Sequence, residues 1–144
     1  MLALVFVFSA SAIAVTNHGT KSEAEAMVKE AVSFLKMNGK NAALAEFGNP
    51  TGKFVKKDLY IFVYDMKGKV LAHGQNPSSV GKVMMNAKDS NGKEYVKERI
   101  EIAKTKGHGW QDYKYINPVS KNMERKTAYI VKVDDMIIGC GAYK

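Results

Sequence analysis

His73 closes the stretch YIFVYDMKGKVLAHG, residues 60–74, where an aromatic run turns through Asp65 and Gly68 and returns as a second apolar run before Gly74. An imidazole at the end of such an arm has the chemistry of a base, a metal ligand or a hydrogen-bond donor. Its possible partners are few. The chain has three histidines, with His18 close to the N-terminus, and the spacings of a zinc site are missing. Asp58 and Asp112 lie near strand ends, where carboxylates more often form turns than do acid–base work. Asp89-Ser90-Asn91-Gly92 starts like a calcium loop, but its glycine comes two positions early and no closing glutamate follows at the right distance. Gly107-His108-Gly109 lacks the strand and helix of a phosphate cradle. Cys140 is the only cysteine, so no intramolecular disulfide forms, and between Gly139 and Gly141 it reads as a small buried hydrophobe. Seven tyrosines, several at alternating strand positions, offer apolar surface and hydroxyls together, as a cavity wall needs. The chemistry expected is therefore recognition. No catalytic residue, metal or cofactor is expected; a haem would have His73 as its one candidate ligand.

Composition sets the frame for that recognition. The chain of 144 residues, 46% of them hydrophobic, is enough for one domain with its own core. A formal net charge of +8 favours anionic partners. The lysines, however, are scattered from Lys21 to Lys144 instead of forming a stripe, which argues against nucleic acid.

The first fourteen residues, MLALVFVFSASAIA, carry no charge. They are too short for a bilayer, which takes about 20 residues. Small residues follow the apolar run, and residues 1–14 read as a signal peptide lacking its basic start, with processing near Val15. A buried N-terminal strand or helix is the competing reading. Residues 20–144 are then the single folded domain, without membrane insertion after processing and located in the periplasm or secreted.

The elements that must position His73 and the tyrosines follow from periodicity. Ala24, Met27, Val28, Ala31, Phe34 and Leu35 recur at helical spacing over 22–37, with Ser22 as N-cap, Glu25 completing a capping box and Gly39 as the stop. A shorter helix over 40–47 ends at Gly48-Asn49-Pro50. From Leu59 the period changes to two: Tyr60, Phe62 and Tyr64 share one side, Leu59, Ile61 and Val63 the other. A hairpin turn over 65–69 leads to the partner strand 70–73, and a helix over 93–105 is closed by Gly107. Three strands follow, over 110–116, 127–133 and 137–143. The order predicts an α+β fold: a five-stranded antiparallel sheet with a long N-terminal helix and short flanking helices.

The segments DLYIFVYDMKGKVLAHGQNPSSVGK, DSNGKEYVKERIEIAKTKGHGWQDYKYINP and RKTAYIVKVDDMIIGCGAYK resemble the single Cache domains, PAS-like extracytoplasmic sensing modules of bacterial chemoreceptors and sensor kinases. With the helix over 22–37 in the place of the family's N-terminal helix, the resemblance covers the chain after its leader. It implies a PAS-like fold with a pocket on one sheet face for a small organic anion. The implied ligand is a carboxylate of the size of acetate, propionate, pyruvate or lactate, bound without catalysis. The implied pocket residues are Tyr60, His73, Trp110, Tyr113, Tyr115, Lys126 and Tyr129. Lys126, before Thr127-Ala128-Tyr129, stands where the family has a carboxylate-binding lysine, and His73 would donate from the pocket rim.

Strand parity ranks these residues. Tyr113 and Tyr115 share a side of a regular strand, whereas Trp110 lies on the other unless a bulge intervenes near Gly109, and Lys126 is likewise separated from Tyr129. Family receptors continue into a membrane helix beyond the domain, so the chain reads as a stand-alone secreted form or a receptor fragment. Its output would then need a membrane receptor or kinase partner. The alternative function is a module for another small ligand, such as an amino acid or amine, or for a protein.

Overall fold

The structure, a computed structural model, describes residue 7 and residues 17–144. The expected signal peptide, residues 1–14, lies outside the described residues apart from Val7. Helix α1 (Lys21–Asn38) buries Ala24, Met27, Val28, Ala31 and Leu35, the stripe that the helical period marks. Its cap is Thr20, not Ser22. The Thr20 hydroxyl accepts from the Glu23 amide at 3.1 Å, and the Glu23 carboxylate accepts from the Thr20 amide at 2.8 Å. Both registers satisfy the spacing rule. The earlier one wins where the buried Asp58 carboxylate accepts from the Gly19 amide at 2.7 Å and from His18 Nδ1 at 2.7 Å, holding the chain as the helix begins. Helix α2 (Lys40–Phe47) follows directly after Gly39.

The strand expected from Leu59 is broken at Ile61. Strands β1 (Val55–Lys56) and β2 (Leu59–Tyr60) form a small hairpin of their own, whereas β3 (Phe62–Asp65) pairs with β4 (Val70–His73) and with β7 (Met136–Tyr143). The chain changes partners at Ile61, yet the alternation of sides continues through the break. A short 3₁₀ turn at Pro77–Ser79 and an irregular stretch lead to α3 (Tyr95–Lys106), then β5 (His108–Ile116) and β6 (Met123–Val133). The main sheet runs β4-β3-β7-β6-β5, antiparallel throughout.

Each face of the sheet has its own core. On one side Ala24, Val28 and Ala31 of α1, Phe47 of α2 and Phe54 after it pack against Leu59, Ile61, Val63, Ile138 and Cys140. On the other, α3 packs Tyr95, Val96, Ile100 and Ala103 against Tyr60, Phe62, Tyr64, Tyr113, Ala128, Ile130 and Tyr143. Cys140 is fully buried on the first side, as its glycine-flanked position implies, with Sγ 3.8 Å from Met27 Sδ.

Candidate functional site

Polar chemistry collects on the α3 side. Lys126 on β6 is 1% exposed, and its Nζ donates to the Tyr60 hydroxyl at 2.8 Å. Five rings surround the ammonium: Tyr60 at 4.2 Å, Tyr143 at 4.9 Å, Tyr115 at 5.3 Å, Phe62 at 5.4 Å and Tyr113 at 5.8 Å. No carboxylate pairs with it among the described residues. Burial, helped by the Arg99 charge and opposed by Cys140 and Asp58, lowers its pKa to about 7. The side chain can lie flat here because β7 carries Gly141 beside it. A Cβ at that position would fall 2.3 Å from Lys126 Cε.

A second buried cation belongs to the same cluster. Arg99 on α3 is 1% exposed, with its guanidinium 4.2 Å from the Phe62 ring and 5.4 Å from Tyr113, rings that also border Lys126. Its Nε donates to Gln111 Oε1 at 2.8 Å, and Gln111 Nε2 in turn donates to the Tyr95 carbonyl at 3.0 Å. Burial opposes the charge, but the hydroxyls of Tyr113, Tyr64 and Tyr95 more than offset this and hold the pKa above its usual value.

His73 is 4% exposed at the end of β4. Its Nδ1 accepts from the Asn76 amide at 2.8 Å and the Gln75 amide at 3.2 Å. An imidazole that accepts at Nδ1 while neutral carries its proton on Nε2. Burial, with Lys126 and Arg99 adding to it, lowers the His73 pKa to about 3, so the ring stays neutral and Nε2–H stays a donor. That donor has no protein partner among the described residues. The ring stands 4.9 Å from Tyr60 and 6.1 Å from Tyr115.

A cavity of about 380 Å³ opens over these groups, with Tyr60, His73, Tyr95 and Tyr115 on its buried side. Tyr113 and Lys126 border a neighbouring cavity of about 350 Å³, and both cavities share Asp89 and Lys114. Lys126 therefore stands behind the Tyr60 hydroxyl as seen from the larger cavity. From that hydroxyl a chain of bonds continues through Tyr143 Oη at 3.1 Å to the Ile116 carbonyl at 2.8 Å. The next residue, Asn117, donates to Asp58 at 3.0 Å, reaching the start of α1.

Of the residues expected at the site, Tyr60, His73, Tyr113, Tyr115 and Lys126 come together. Trp110 and Tyr129 do not. No bulge interrupts β5, so period-two alternation turns Trp110 to the α1 side, where it pairs with Tyr129 at 5.1 Å and lies 4.5 Å from the Lys21 ammonium. Sequence reasoning missed Arg99, Gln111, Tyr95 and Tyr143. Arg99 did leave a signal: it is one of two arginines in a chain with 20 lysines, and it falls on the Val96–Ile100–Ala103 stripe.

The sequence model of the family Single Cache domain 2 matches residues 7–144. Sensor histidine kinase MctS of Rhizobium johnstonii is 30% identical over 89 residues, 60% of this chain. That match spans 19% of the kinase's length. Among solved structures, a methyl-accepting chemotaxis protein from Vibrio parahaemolyticus superposes with a TM-score of 0.74 at 25% identity, over 85% of this chain and 87% of that one. A Cache chemosensory domain described for carboxylic acid recognition gives a TM-score of 0.65 at 20% identity, over 83% and 84%.

Proposed function

The chain belongs to the Single Cache domain 2 family of extracytoplasmic sensory domains, and we propose that it recognises a small organic anion, a carboxylate, without catalysis. One observation carries this reading. Lys126 and Arg99 are both buried against Phe62 and Tyr113, and no side-chain carboxylate neutralises either among the described residues. Burying the unpaired Lys126 ammonium is costly, and the Arg99 charge nearby repels it. An anion beside Lys126 relieves both terms, so part of the binding energy comes from strain held in the ligand-free fold. In this reading Lys126 supplies charge, His73 Nε2–H and the hydroxyls of Tyr113 and Tyr115 supply donors, and Tyr60, whose proton goes to Tyr143, links Lys126 to the site. The carboxylic acid named for one structural relative is consistent with that chemistry. Residues 1–14 would direct export to the periplasm or beyond, and a membrane receptor or kinase would carry the output.

The test is a thermal-shift screen of acetate, propionate, pyruvate and lactate against amino acids and amines, followed by calorimetry on Lys126→Ala. A ligand that binds only the folded state raises Tm. Small carboxylates should do so, and Lys126→Ala should weaken them at least tenfold. Carboxylate affinity unchanged in Lys126→Ala, or Tm shifts from amines alone, would overturn the reading.

A further inference from the structure

The larger cavity exceeds what an acetate-sized ligand fills. At about 30 Å³ per water, its 380 Å³ takes roughly a dozen waters, whereas a two-carbon acid displaces about two or three. Its chemistry also changes from one end to the other. The buried end presents His73 Nε2–H and the Tyr60 hydroxyl. Ile116, Pro118 and Met123 give an apolar flank. The solvent end presents Lys88, Lys114 and Lys121, none of which forms an ion pair among the described residues.

One acid shares that wall, and its oxygens are held by backbone amides. Asp89 Oδ1 accepts from the amides of Asn91 and Lys93, both at 2.9 Å, and Oδ2 accepts from the Lys114 amide at 3.1 Å. The carboxylate thus closes its own loop and docks that loop on β5. Asp89 stays ionised, so the wall sets one negative charge against three ammonium groups and keeps a net positive end.

Building on the carboxylate reading above, we infer that the preferred ligand carries two acidic groups on a short carbon chain. One carboxylate meets the buried donor at His73 Nε2 beside Tyr60, with Lys126 behind that ring. The chain passes Ile116 and Met123, and the second carboxylate lies among Lys88, Lys114 and Lys121. The distal group adds charge pairing that is partly screened by solvent, so each lysine contributes modestly and the three act together.

Calorimetry with length-matched pairs tests this: butyrate against succinate, and valerate against glutarate. The wild-type chain should bind the dicarboxylate of at least one pair about tenfold tighter than its monocarboxylate, the gain that a few partly screened ion pairs supply. In the triple variant Lys88→Gln, Lys114→Gln, Lys121→Gln that ratio should fall towards one. These side chains are at the surface, and the variant's melting curve without ligand confirms folding. Monocarboxylates binding as tightly as their partners, or a preference that survives in the variant, would overturn the inference and leave the carboxylate reading standing. Binding of neither class would overturn both.

Discussion

The two faces of the sheet are built from opposite materials. On the α1 side, aliphatic and phenyl groups fill the space, and the Phe34, Phe47 and Phe54 rings meet at 4.9–6.1 Å. On the α3 side, a lysine, an arginine, a histidine and a glutamine are buried among tyrosines. Apolar burial of the first kind contributes stability in proportion to area. Buried charge of the second kind subtracts from it unless a partner is supplied. Both faces carry a core, but the α3 face buries charge at a cost in stability, a cost the proposed ligand would offset.

Variants that exchange the behaviour of the two faces should test this contrast. The largest expected effect is Phe54→Ala, which should cost about 3–5 kcal/mol in urea unfolding while the protein that remains folded keeps its carboxylate affinity. Lys126→Met should do the reverse. Removing a buried charge raises Tm without ligand, and calorimetry should show carboxylate binding weakened by about 2–5 kcal/mol, the range for breaking a desolvated charge pair. Tyr60→Phe removes the hydroxyl that joins Lys126 to Tyr143, and affinity should drop by about 1–3 kcal/mol with the fold intact. The smallest effect belongs to Trp110→Phe and Tyr129→Phe. Facing α1, both should leave affinity within about 0.5 kcal/mol of wild type, the usual span for substitutions away from a site.

The sequence made some of this contrast legible and hid the rest for physical reasons. Alternation alone separates Tyr60, Phe62 and Tyr64 from Leu59, Ile61 and Val63, because strand pleating does not depend on tertiary partners. The same rule opposed grouping Trp110 with Tyr113, and the regular pairing of β5 with β6 bears the rule out. The break at Ile61 was hidden because exchanging one strand partner for another leaves no local mark. Arg99 lies on the buried stripe of α3, but a charged residue there reads as solvated until the surrounding aromatic rings are known. Gly141 reads as a small strand residue, and only the path of Lys126 across it shows what its missing Cβ makes room for.

Proton linkage is the most direct probe of the central claim, that an uncompensated ammonium lies under the α3 face. In the ligand-free fold burial lowers the Lys126 pKa to about 7 from 10.5, whereas the proposed carboxylate would hold the group charged. Its buried neighbours do not titrate in between: His73 is neutral above about pH 3, and Cys140 keeps its proton up to about pH 12. The unfolded chain keeps the lysine protonated up to its ordinary pKa. Stability without ligand should therefore rise from about pH 7 towards 10.5, as the fold sheds a proton that the unfolded chain retains. Binding runs the other way and takes the proton back. Calorimetry of a binding carboxylate at about pH 8.5, repeated in two buffers of different ionisation enthalpy, should give an uptake approaching one proton per ligand, with affinity falling about tenfold per pH unit above 7. An enthalpy independent of buffer, together with an affinity flat across this range, would contradict the account.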